Sequence, residues 1–110
     1  MASALNVFKT VTAQITTSSS DIYTAPAGKT TIVLMAQVSN VGMATANVTA
    51  SHYKGTTATE LVKNFDIPIK DSAGLLTGKL VLEQGDSFRI SGSDNTSLKI
   101  VLSLLETLNA

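Results

Sequence analysis

Cysteine and tryptophan are absent from this chain, and histidine occurs once. Without cysteine there is no disulfide framework and no cysteine-based zinc site, and either redox compartment is tolerated. The single histidine, His52, has no second imidazole to share a metal with, and on an alternating strand it reads as a packing or surface residue. Charge is scarce: 15% of residues are charged, 8 basic and 8 acidic, for a net charge of zero. No basic block marks a nucleic-acid footprint, and aromatic residues, 5% of the chain, are too few for a base-stacking platform. No apolar run approaches the roughly 18–20 residues of a membrane-spanning helix. The segment Met1-Ala-Ser-Ala-Leu-Asn-Val-Phe-Lys9 lacks a basic region followed by an apolar stretch, so it does not read as a signal peptide. The glycosylation-like triplets Asn47-Val-Thr49 and Asn95-Thr-Ser97 are accordingly taken as strand and turn residues.

What is present is a domain's worth of β-patterned sequence. At 110 residues the chain is expected to form one domain, residues 1–110, with a core large enough to need no staples. Period-2 alternation dominates. Val7, Lys9, Val11, Ala13 and Ile15 share one face of a first strand near Asn6–Thr16, against Phe8, Thr10, Thr12 and Gln14. Ile22–Thr24 is a short strand before a Pro/Gly turn. Thr30–Asn40 is a long strand with Ile32, Leu34, Ala36 and Val38 on one side and Val33 and Met35 on the other. Further strands are expected at Ala46–Tyr53, Leu61–Ile69, Lys79–Leu82 and Phe88–Ile90, with a last one over Leu98–Leu104. Lys54–Thr59 reads as a polar loop and Asp71–Gly74 as a turn. The fold class is all-β: a single antiparallel β-sandwich, jelly-roll or immunoglobulin-like, of about eight strands.

The chemistry-bearing patterns reduce to architecture. Gly28-Lys29-Thr30 matches the tail of a phosphate-binding loop, but Tyr23 stands where the first glycine is required, and a β-branched strand follows instead of a helix. Pro26 and Gly28 are better explained as turn residues. There is no Gly-x-Ser-x-Gly elbow. Asp66, Asp71, Glu83, Asp86 and Asp94 fall at strand ends and turns, where carboxylates cap backbone N–H groups. Tyr53, Phe65 and Phe88 are assigned to the core. No catalytic residue, cofactor site or metal site is expected.

Several segments together resemble the small virion structural proteins of tailed bacteriophages, most closely those of marine cyanobacterial phages. They are Leu5-Asn-Val-Phe-Lys-Thr-Val11, Ile22-Tyr-Thr-Ala-Pro-Ala-Gly28 running into Ile32–Val38, Gly78-Lys-Leu-Val-Leu-Glu-Gln-Gly-Asp86, and Leu104-Leu-Glu-Thr-Leu108. The resemblance implies a non-enzymatic protein located in the virion, made in the host cytoplasm, with other virion proteins as partners. Capsid decoration or cementing on the major capsid protein is the first expectation; a neck, tail or fibre position is the alternative. A carbohydrate- or surface-binding module is a reading from another class, weakened by the absence of tryptophan. Low charge density fits a surface buried against neighbours, so a homo-oligomer is expected, with no nucleic-acid or membrane partner. Leu5, Val7 and Phe8 at one end, with Leu105 and Leu108 at the other, are the expected assembly contacts. The competing expectation is that both ends pair as neighbouring strands within one subunit.

Overall fold

The computed structural model describes residues 6–109. Among these residues nine strands are formed: β1 (Asn6–Gln14), β2 (Ser20–Thr24), β3 (Lys29–Asn40), β4 (Ala46–Lys54), β5 (Thr57–Ile67), β6 (Ser72–Gly74), β7 (Leu80–Leu82), β8 (Ser87–Gly92) and β9 (Leu98–Leu108). They make two antiparallel sheets packed as a sandwich. The first has the order β1-β9-β3-β6, with β7 also pairing β3; the second has the order β2-β8-β4-β5. β6 meets Gln37–Ser39 and β7 meets Thr31–Val33, so two three-residue strands share one edge of β3.

The core follows from the alternation. Leu98, Ile100, Leu102 and Leu104 of β9 point inward beside Val33, Ala36 and Val38 of β3, against Val48 and Ala50 of β4 and Phe88 and Ile90 of β8. These side chains are at most 2% exposed. Burying each of the large ones is worth roughly 1.5–3 kcal/mol relative to leaving it in water.

Several readings of the sequence are corrected. On β3 the alternation changes phase at a bulge between Val33 and Met35. An extra residue puts Leu34 and Met35 together on the outer side, so Thr31, Val33, Ala36 and Val38 are buried while Ile32 and Leu34 are only half-buried. The expected loop Lys54–Thr59 is a hairpin: β4 runs to Lys54, β5 starts at Thr57, and Gly55, at φ 62°, takes the left-handed turn position. The expected turn at Asp71–Gly74 includes β6, the additional strand. Phe88 is fully buried and Tyr53 partly, but Phe65 is 42% exposed. It stands opposite buried Val48 on the edge strand β5, on the same side as buried Ile67, and lines an open hollow with Leu61, Val62 and Leu76, so it sits at the margin of the core rather than within it.

Candidate assembly surface

The first sheet's outer face is built by alternation. On β1, Phe8, Thr10 and Thr12 point away from the core; on β9, Val101, Ser103 and Leu105 do so. The register sets these side by side: Phe8 opposite Leu105, Leu105 opposite Ile32, and Ile32 opposite Val81. Four apolar side chains thus form one row straight across β1, β9, β3 and β7. Directly opposed residues on one face of a sheet have Cβ atoms about 4.5–5.5 Å apart, so the row is continuous. Phe8 is 74% exposed and Val81 50%. Met35 and Val101, each 37% exposed, extend the patch along the strands.

Charge is absent from this surface to an unusual degree. Of the outward positions on β1, β9 and β3, only Lys99 is charged; the other polar ones are Asn6, Thr10, Thr12, Gln14, Thr30, Gln37, Ser39, Ser103 and Thr107. The second sheet differs. Its strands carry Asp21, Glu60, Lys63, Asp66 and Arg89. Arg89 Nε donates to Asp21 Oδ1 at 2.7 Å, and the guanidinium lies over the Tyr53 ring, 3.5 Å from its centroid. An apolar centre with little charge is the composition of an interface core, and the second sheet has the composition of a solvated face.

Beneath the row lies a polar cluster that the sequence did not disclose. Glu106 points inward on β9, and its side chain is 1% exposed. The Tyr23 hydroxyl donates to Glu106 Oε2 at 2.5 Å and lies 2.7 Å from the Thr31 hydroxyl. Lys9 Nζ and Lys29 Nζ stand 3.1 and 3.6 Å from Oε1, neither aligned as a hydrogen bond. The Tyr23 hydrogen bond, then Lys9 and Lys29, outweigh the cost of burial and hold the Glu106 carboxyl below its ordinary range. Burial first, and the neighbouring carboxylate second, push the Tyr23 phenol up to about 12. The one available signal was an acid at an inward position in the run Leu98, Ile100, Leu102, Leu104, Glu106. The cluster joins β2 of one sheet to β1, β3 and β9 of the other.

Lys29 therefore works in an ion pair rather than a phosphate site. Gly28 takes φ 76°, Lys29 N donates back to Pro26 O at 3.2 Å, and β3 follows directly. His52 Nε2 lies 3.3 Å from Asp86 Oδ2. That carboxylate also accepts from Glu83 N at 3.0 Å, closing the Glu83–Asp86 turn, and meets Lys54 Nζ at 3.4 Å. An open hollow of about 710 Å³ beside it is lined by Thr30, Lys54, Glu83, Gln84 and Asn109. Among the described residues, no group of three or more His, Asp or Glu side chains is placed to hold a metal ion.

The expected contacts separate as follows. Phe8 and Leu105 are brought together as a cross-strand pair on the outer face. Val7 is half-buried opposite Glu106, and Leu108, 36% exposed, pairs with Lys29. Leu5 lies outside the described residues. β1 and β9 are paired within one subunit over their full shared length, from Asn6 opposite Thr107 to Gln14 opposite Lys99. Ile32 and Val81 join the row without having been singled out. The bulge on β3 and the register of β7 place them there, and neither is visible in local alternation.

No protein-family model matches the chain, and no curated protein matches it in sequence. Solved structures that share its fold include a phage capsid chain and a pilus chain. A chain from the acid-stable capsid of Helicobacter pylori bacteriophage KHP30 is 14% identical, with a TM-score of 0.59, over 97% of this chain and 90% of that one. A chain from Bacillus endospore appendages, which form disulfide-linked pili, is 13% identical, with a TM-score of 0.58, over 96% of this chain and 88% of that one.

Proposed function

We propose that this chain is a non-enzymatic virion structural protein that decorates or cements a phage capsid, with the major capsid protein and further copies of itself as partners. The observation that carries this reading is the row Phe8–Leu105–Ile32–Val81 on a face almost free of charge. Such a face is costly to leave in water and is suited to burial against a neighbour. Many weak contacts of this kind, repeated over a particle, add by multivalency. The sequence resemblance to phage virion proteins supports the location, and the fold shared with a phage capsid chain is consistent with it. Phe8 and Leu105 are the contacts favoured among those expected from sequence; Val7 and Leu108 stand on the other side of the sheet, opposite Glu106 and Lys29.

Proteomics of purified particles tests the reading. Many copies per virion are expected, and a reconstruction should place the first sheet's outer face against capsid. Absence of the chain from particles would refute the proposal. A neck, tail or fibre position is the second reading. The molecule's 50 Å long axis, against 27 and 22 Å across, and the fold shared with a pilus chain favour it. The same reconstruction separates the two.

A further inference from the structure

A sandwich of two open sheets has four edges, and an unprotected edge pairs with other chains. Three of the edges here are blunted. β2 is five residues long and bulged between Asp21 and Tyr23. β6 and β7 are three residues each. β5 carries two register shifts, a left-handed Asn64, and the charges Glu60, Lys63 and Asp66. The fourth edge is different. β1 has nine residues and pairs with β9 without a register shift. It contains neither proline nor glycine, and its only charge is Lys9. In an antiparallel ladder alternate residues bond to the neighbour, and those between direct their N–H and C=O outward. Among the described residues, no strand takes up that outward side of β1.

We propose that the free edge of β1 pairs antiparallel with β1 of a second copy about a twofold axis at Thr10, joining the two first sheets into one. This rests on the self-assembly part of the function proposed above and names its surface. The strand is self-complementary in that register. Thr10 faces Thr10 of the second copy, Phe8 faces Thr12, Val7 faces Ala13, and Lys9 faces Val11, so no like charges are directly opposed. An inward-pointing lysine ordinarily protects an edge. Here Lys9 is already compensated within its own subunit by Glu106 at 3.1 Å, so pairing buries no uncompensated ammonium. The net charge of zero adds no repulsion between copies. Phe8, 74% exposed, gains neighbours, because the row beyond Thr12 of the second copy continues to Val101. The apolar rows of the two copies then lie on one continuous face.

The absence of cysteine makes the test direct. Opposed Cα atoms in an antiparallel pair are about 4.5–5.5 Å apart, within disulfide range. The full-length variant Thr10→Cys is expected to form a covalent dimer under mild oxidation at least ~10-fold faster than Thr59→Cys, on the edge strand β5. Sedimentation equilibrium of the unmodified protein should show twice the subunit mass at high concentration. Phe8→Lys should weaken that dimer by ~10-fold or more. Adding Thr12→Glu should restore it, because the register sets position 8 of each copy against position 12 of the other, and the two introduced charges are opposite. Circular dichroism establishes that each variant is folded. A folded monomer at every concentration, equal cross-linking at Thr10 and Thr59, or no rescue by the double variant would each overturn the proposal. A monomer that is nonetheless abundant in particles refutes the β1 pairing and leaves the virion reading standing; a β1 dimer absent from particles does the reverse.

Discussion

At Glu106, a carboxylate that burial disfavours is kept charged by Tyr23, Lys9 and Lys29. Tyr23→Phe removes its one well-formed donor, and a hydrogen bond to a charged group is worth about 1.5–3 kcal/mol. The loss should appear as a lower denaturant midpoint at neutral pH. Its pH dependence has a definite sign. The folded Glu106 carboxyl sits below its ordinary value of 4.5, so its contribution is present above that value and is lost as pH falls through the folded one. The folded Tyr23 phenol is raised from 10.0 to about 12, so its contribution is present below 10.0 and is lost as pH rises toward 12. The stability gap between the wild-type protein and Tyr23→Phe should therefore narrow at both extremes; a gap constant from pH 3 to 11 would contradict the assignment. Gly42 offers a steric test. A Cβ there would stand 2.2 Å from Ser97 Oγ and 2.7 Å from Ser97 Cβ. Gly42→Ala is expected to cost about 1–3 kcal/mol, with part recovered by Ser97→Gly in a thermal or denaturant melt. Asn40, 2% exposed, holds the same corner, donating to Ala44 O and Ile67 O and accepting from Gly42 N. None of these roles was legible from residue type alone. Asparagine beside glycine signals a turn, and an acid near the end of a strand signals solvent, until tertiary partners reverse the reading.

At the level of elements, alternation located the strand cores well where both neighbours are regular. β1 and β9 pair without a shift, and the inward positions Leu98 to Leu104 follow the expected period of two. Alternation failed where the ladder slips. On β3 one bulge moves Ile32 and Leu34 out of the core; Phe65 keeps its phase with buried Ile67 but is exposed because β5 is an edge strand. A bulge depends on the partner strand, so local sequence does not announce it. β6 is too short to show a period at all. Two substitutions separate the faces. Leu104→Ala, at a fully buried site, is expected to cost about 2–5 kcal/mol. Phe8→Ala, on the exposed row, should change stability by no more than ~0.5 kcal/mol. Denaturant titration of both checks which face is core, independently of any assembly measurement.

For the whole molecule, the topology pairs the two ends of the sequence with each other. β9 lies between β1 and β3 in the first sheet, so its pairs are among the most distant in sequence that the chain can make. Such contacts form only after long loops close, and folding in milliseconds to seconds is expected, in one cooperative phase, by stopped-flow fluorescence of the tyrosines. Deleting Leu105–Ala110 removes Glu106 and pairs with both β1 and β3, and should abolish the folded state. Sequence conveyed the sandwich class because strand count and turn spacing are local quantities. The strand order, which creates the apolar row, is a property of the closed structure.

The pairing of Asn6 with Thr107 also has a mechanical consequence. Handles attached at these two residues pull on the same end of one antiparallel ladder, so β1 peels from β9 one rung at a time. Force applied between Asn6 and Lys99, at opposite ends of the two strands, loads the rungs together in shear. The molecule is thus soft when drawn by its two outermost strand ends and stiff when loaded along the sheet.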